Sequence, residues 1–441
     1  MSSRKALVIL LVSTALPKIT LVYLIGGCSA LAPDERGYLG VFSNIYGGQG
    51  SRSTLVWTQT PGWVLKIFFA PAGIFQYLGF SGLTSIRLSA VLLSECSAVI
   101  LFLTLQKASI QFDKKKLIFL ISTLLIPSFV LWSSSGLRES FLYISLAGCF
   151  YSVISFMKEK HSFKYLYLLL YLVSSFALSY TKAYLSVILA CSILLGGLLI
   201  YKKSELKSNV VILTLSTIII LACSPGASYL FQVPKFSFSI TGFFHKHEYS
   251  GPTSSSALSK TLQELENCRR QNIGGPLMRF LSDKIPVREM NAQLPLKSGA
   301  LGATDLQQTA SSDPVNRNVI NFPQLPGGIF TFLLVPISFN SLGLVGSYGV
   351  VESLFWLPLY FILILSLVSI RRAKLLIPLE ATLTAPFVVI YTIFSGAVEI
   401  NYGTALRHRS LLLIPILLII FVLREKLNSV KCQHGGRNLQ N

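Results

Sequence analysis

Apolar runs long enough to cross a lipid bilayer, separated by short polar or basic links, constrain this chain more than any other feature. A helical span needs roughly 20 apolar residues. Runs of about that size occupy Ala6–Leu31, Ile86–Leu105, Leu117–Trp132, Ser140–Met157, Tyr165–Tyr180, Leu185–Tyr201, Asn209–Phe231, Val350–Ile370, Leu375–Val398 and Leu411–Leu423. In hydrocarbon every backbone N–H and C=O must bond within the protein, so segments of this length read as helices. The expected fold class is all-α, a polytopic transmembrane helix bundle. Charged residues make up 13% of the chain, against about 25% in soluble domains, which excludes a soluble globular reading. Met1–Leu31 begins like a signal peptide, but Pro17-Lys18 interrupts its apolar run and many spans follow. It reads as a retained first span.

Charge orients the bundle. Basic residues cluster at Arg4-Lys5, Lys114–Lys116, Lys158–Lys164, Lys202–Lys207, Arg371–Lys374 and, in the tail, Arg424, Lys426 and Lys431. Such clusters favour the cytoplasmic side, so an even number of spans must separate each from the next. Three apolar runs lie between Lys5 and Lys114. The weakest, Pro61–Phe80, carries Lys66, Pro71 and Gly73 and reads as an interfacial or re-entrant element. Ten spans remain, with both termini cytoplasmic. Five links then share the outer side: Pro33–Thr60, Ser133–Glu139, Thr181–Tyr184, Gln232–Pro326 and Glu399–Arg409. The chain divides into an N-terminal membrane part (1–231), one large outer loop (232–326) with an amphipathic helix near Ser256–Arg270, a second interfacial or re-entrant segment (327–349), and C-terminal spans with a cytoplasmic tail (350–441). The net charge of +20 follows from the basic inner links and contact with anionic membrane lipids. A nucleic-acid partner would need a basic soluble face with aromatics, which is missing. No C-x-x-C spacing suggests a zinc site or a disulfide framework.

The outer links hold the candidate chemistry. E-I-N-Y-G-T-A-L-R-H-R (399–409) places Arg407, His408 and Arg409 outside, against the usual charge bias, with Glu399 and Tyr402 nearby. Cations there call for an anionic partner; the alternative is a basic anchor at a span end. Arg138 is suited to clamp a phosphate in a bidentate way, or it pairs locally with Glu139. Lys182, between Tyr180 and Tyr184, is either a phosphate ligand or a snorkelling lysine in an aromatic belt. Asp34 or Glu35 is a candidate general base; the alternative is a solvated loop with an Asp–Arg pair. His408, with its charge suppressed by flanking arginines, is a third candidate base. Glu95 lies within a span, where a carboxylate is either functional or protonated and hydrogen-bonded. No motif names a cofactor or a metal, although a divalent ion stays open.

An acidic pair after the first span, a Pro-led apolar segment and L-G-F-S-G-L-T-S-I-R-L-S (78–89) resemble the start of the GT-C membrane glycosyltransferases. S-S-G-L-R-E, T-K-A-Y and N-Y-G-T-A-L-R-H-R-S-L-L-L-I-P (401–415) are similar to membrane proteins of surface-polysaccharide gene clusters, of the Wzy-like O-antigen polymerase kind. The resemblance covers most spans but not the loop 232–326. It implies a bacterial inner membrane location, a polyprenyl-(pyro)phosphate-linked sugar donor and a saccharide acceptor. In GT-C enzymes an acid of the first outer loop is the base; Asp34 and Glu35 match that position. It also implies work beside other polysaccharide-assembly proteins. Two other readings stay open. A transporter or flippase of the same lipids would want charges deeper in the membrane, for which Lys18, Glu95, Glu352 and Glu380 are candidates. A non-catalytic membrane scaffold would need none.

Overall fold

The structure, a computed structural model, describes residues 2–26, 33–46, 62–136, 138–159, 163–201, 207–223, 325–334, 343–398 and 402–437. These residues form helices and no strands. In chain order the α-helices are α1 (Ser3–Ile25), α2 (Pro33–Tyr46), α3 (Gly62–Tyr77), α4 (Gly82–Lys107), α5 (Lys114–Leu124), α6 (Pro127–Ser134), α7 (Glu139–Lys158), α8 (Lys164–Thr181), α9 (Ala183–Ile200), α10 (Lys207–Cys223), α11 (Leu325–Leu334), α12 (Gly343–Arg372), α13 (Leu379–Val398), α14 (Tyr402–Arg409) and α15 (Leu413–Arg437). Six are long and apolar enough to cross a membrane: α1, α4, α7, α9, and the parts Val351–Arg372 of α12 and Leu379–Gly396 of α13. The pair α5 and α6 makes a seventh if it is one span, bent by 59°. Pro127 opens α6; it has no N–H to continue the ladder, and it pushes the residue before it out of the helical region. Such a set of helices is the make-up of an integral membrane protein.

The helices are apolar, so lipid competes with their packing. Association rests on close approach at small residues and on polar contacts. A Cβ added at Gly148 of α7 would lie 2.6 Å from Ser174 Oγ of α8. At Gly196 of α9 it would lie 3.1 Å from Leu383 Cα of α13, and at Gly396 of α13 only 2.8 Å from Ile329 Cα of α11. The central element runs through α15: every residue from Leu411 to Leu423 is buried, as befits a helix that is apolar all round. In α1 the buried face, Ala6, Leu10, Thr14, Lys18, Val22 and Ile25, is part polar. Val8, Val12, Leu16, Ile19 and Tyr23 face outward, while Thr14 and Lys18 are buried.

Ion pairs mark one end of the bundle. Lys116 of α5 binds Glu425 of α15 at 2.6 Å, Lys107 of α4 binds Glu159 at 2.8 Å, and Lys158 of α7 pairs with Glu380 of α13. The opposite ends of α4, α7 and α13 lead to the cluster described below.

Several boundaries differ from the sequence reading. Pro33–Tyr46, read as a polar link, is helical. Within 61–80, α3 carries Pro71 inside a helix that packs against α4. Of the segment 327–349, residues 327–334 fall on α11 and 343–349 on the first turns of α12, which starts at Gly343 rather than Val350; 335–342 lie outside the described residues. Glycine in a helix costs only about 1 kcal/mol, so Gly343, Gly346 and Gly349 do not stop it. The T-K-A-Y link shrinks to Lys182 alone, whose backbone (φ −156°, ψ 88°) separates α8 from α9. Tyr402–Arg409 is helical and passes through a 3₁₀ turn, Ser410–Leu412, into α15. Pro415 explains the turn: it cannot donate to the carbonyl of Leu411, and its ring crowds that carbonyl. The amphipathic helix expected near 256–270 lies outside the described residues.

Candidate functional site

The helix α14 brings three consecutive side chains to three different neighbours. Successive helical residues are 100° apart, so Arg407 and Arg409 point in nearly opposite directions. Arg407 pairs with Glu139, the first residue of α7. His408 Nε2 meets Lys182 Nζ at the break between α8 and α9, and its ring lies edge-on to Tyr184 with centroids 6.5 Å apart. Arg409 Nη1 donates to the Leu333 carbonyl at 2.7 Å, near the C-terminus of α11. Its Nε is 3.9 Å from Glu352 Oε1, and its guanidinium lies 5.9 Å from the centre of the Trp356 ring. Trp356 in turn donates to Glu352 Oε1 at 3.0 Å.

The backbone of α14 is held as firmly as its side chains. Ser410 Oγ donates to the Arg407 carbonyl at 2.6 Å. That occupies the serine's one proton, so Tyr143 of α7 is the donor in its 2.5 Å contact with Ser410 Oγ. Tyr391 of α13 donates to the His408 carbonyl at 3.1 Å.

Around Glu139 the charges are unequal. Its carboxylate is fully buried and has Arg407, Lys182 and Arg138 as cationic neighbours. Arg138 donates from Nη1 to the Thr181 carbonyl at 3.2 Å, and its Nε has no hydrogen-bond partner among the described residues. Burial opposes the Arg138 charge, and repulsion from Arg407 adds to that. The nearby Tyr38 and Glu139 outweigh both and hold the guanidinium above its ordinary pKa. Lys182 also lies 5.2 Å from the centre of the Tyr184 ring.

Beside this cluster, α2 is fastened by a buried fork. Arg87 Nε and Nη2 donate to Glu35 Oε1 and Oε2 at 2.7 and 2.9 Å, and Arg87 Nη1 reaches the Gly26 carbonyl. Both carboxylate oxygens of Glu35 are thus engaged by one guanidinium. Gly136, at φ +65°, passes over this pair; a Cβ there would sit 3.0 Å from Glu35 Oε1.

The structure therefore brings together Arg138, Glu139, Lys182, Arg407 and His408, sets Arg409 on the far side of α14, and ties Glu35 to Arg87. The Asp34 and Tyr402 side chains and all of Glu399 lie outside the described residues. Glu95 is elsewhere: it binds Lys18 at 2.7 Å and accepts from Thr14 at 2.6 Å, inside the bundle. Of the other deep charges, Glu380 serves the ion-paired end and Glu352 the Arg409 group. Arg87 escaped the sequence reading as a site residue, although a charge inside an apolar run was the available signal. Tyr143 and Ser410 gave none. Among the described residues no group of three or more His, Cys, Asp or Glu is placed to hold a metal ion. A scan against protein-family models, a search of curated proteins and a search of solved structures each found no match to this chain.

Proposed function

We propose that this chain is a membrane glycosyltransferase of the polymerase type, using polyprenyl-(pyro)phosphate-linked sugars at the outer face of a bacterial inner membrane to build a surface polysaccharide. The observation that carries the reading is the convergence of Arg138, Lys182 and Arg407, from three separate links, on one buried carboxylate at one end of an apolar bundle. A departing polyprenyl phosphate is an anion whose charge grows as the glycosidic bond breaks, and fixed cations stabilise it most in the transition state. The base that takes the acceptor's proton is Asp34, Glu35 or His408; Arg87 engages Glu35 and Lys182 meets His408 Nε2, so either of these two must first let go of its cation.

Ten spans with both termini cytoplasmic accompany this reading: α1, α4, α5 with α6, α7, α8, α9, α10, α12, α13 and α15. The pairing of Lys107, Lys116 and Lys158 with carboxylates at one common end supports it. Other polysaccharide-assembly proteins are the expected partners in the membrane.

The test is reconstitution of the purified protein with lipid-linked oligosaccharide. Longer saccharide chains on the lipid are the expected result. The buried Lys18–Glu95 pair favours a second reading, a transporter of the same lipids, because ionisable groups within spans often line transport paths. Movement of the lipid between leaflets with no new glycosidic bond would select that reading.

A further inference from the structure

We propose that Glu139 is an internal counter-anion that a substrate phosphate displaces, and that it limits how tightly the site holds a diphosphate. The inference deepens the reading given above and rests on it. Three cations from three links surround one carboxylate that is wholly buried and paired with Arg407. Like charges gathered in a poorly solvated place repel strongly, so before substrate arrives the site needs an anion of its own, and Glu139 supplies it. The surroundings are built for more anion than one carboxylate. Arg138 Nε and the buried Ser140 Oγ have no hydrogen-bond partner among the described residues. Both flank Glu139 at the start of α7, where the first N–H groups and the helix dipole favour negative charge. A diphosphate arriving here takes Arg407 from Glu139. The carboxylate, left beside a bound anion without Arg407, either repels it or takes up a proton, and both weaken binding, which keeps the diphosphate product from being held after transfer.

Binding to the full-length protein in lipid nanodiscs tests this, with farnesyl diphosphate and inorganic pyrophosphate as separate probes. Glu139→Gln removes the repulsion, and the expected result is binding about tenfold tighter or more, the scale of one nearby like charge. Tighter binding of both probes identifies the phosphate chemistry alone as what is recognised; tighter binding of farnesyl diphosphate only identifies a lipid headgroup. Unchanged or weaker binding of both overturns the counter-anion. A wild-type protein that binds neither probe overturns the glycosyltransferase reading itself, which separates the two failures. A second measurement needs no variant. Dicyclohexylcarbodiimide attacks protonated carboxyl groups in apolar surroundings, so its labelling of Glu139, read by mass spectrometry, is expected to rise when farnesyl diphosphate binds. Labelling that is constant or falls overturns the displacement even where Glu139→Gln does not accumulate.

Discussion

Arg407 and Arg409 stand two residues apart and do different work, so their substitutions separate. Arg407 belongs to the cluster around Glu139. Arg407→Ala is expected to lower turnover by about a hundredfold, the effect of losing one transition-state donor, at near-normal membrane abundance, because Lys182 and Arg138 remain beside the Glu139 carboxylate. Arg407→Lys keeps the charge without the planar fork and is expected to be intermediate. Arg409 is 1% exposed and holds the Leu333 carbonyl and the Glu352 group. Its loss strands a buried carboxylate, which costs about 3–5 kcal/mol, so Arg409→Ala is expected to reduce folded protein, read as abundance and thermal unfolding. Normal abundance with lost activity would return Arg409 to the catalytic group. The same logic applies to Glu35: Glu35→Gln is expected to destabilise, through Arg87, more than it slows turnover per folded molecule. That these charges need partners was legible in the sequence, because charges beside apolar runs rarely stand alone. Their partners were not, since Arg87–Glu35 and Arg407–Glu139 join residues far apart in the chain, and neither spacing nor periodicity encodes such pairs.

At the scale of elements, α1 shows how a mostly lipid-facing helix is fixed. Its inward side carries Thr14 and Lys18, which engage Glu95 and Ser94 of α4, and Lys18 lies 4.8 Å from the centre of the Phe129 ring on α6. In lipid such polar contacts, rather than apolar burial, choose the docking position. Removing one charge leaves the other buried and alone; removing both leaves an apolar contact. Lys18→Met and Glu95→Met are therefore each expected to destabilise by about 3 kcal/mol or more, and the two together to recover most of that. Additive losses in unfolding measurements would refute the coupling. The apolar runs themselves were legible because hydropathy reports burial or lipid contact directly. The breaks were not: Lys182 alone ends α8, and Gly343, Gly346 and Gly349 fail to end α12, because tertiary packing overrides weak local preferences.

The whole molecule has two ends of different character, and its insertion follows from them. Lys107, Lys116 and Lys158 meet carboxylates at one end, where Arg371 and Arg372 close α12 and Lys374 follows it. The cluster of α14 occupies the other end; with the basic end cytoplasmic, its cations would oppose the usual charge bias and persist there only beside carboxylates or a bound anion. If the basic end is cytoplasmic, the turn between α3 and α4 belongs to the outer side, because Arg87 near the start of α4 is bound to α2 and the Gly26 carbonyl at the end of α1. A single cysteine placed at Ser81, in an otherwise cysteine-free chain, is expected to react with a membrane-impermeant maleimide added from the outer side. A cysteine at Ser429, in the exposed part of α15, is expected to react only after the membrane is opened. Protection of position 81 together with outer reactivity of position 429 would invert the protein, and the α14 cluster would then face the cytoplasm, where a donor carried on the outer leaflet cannot reach it.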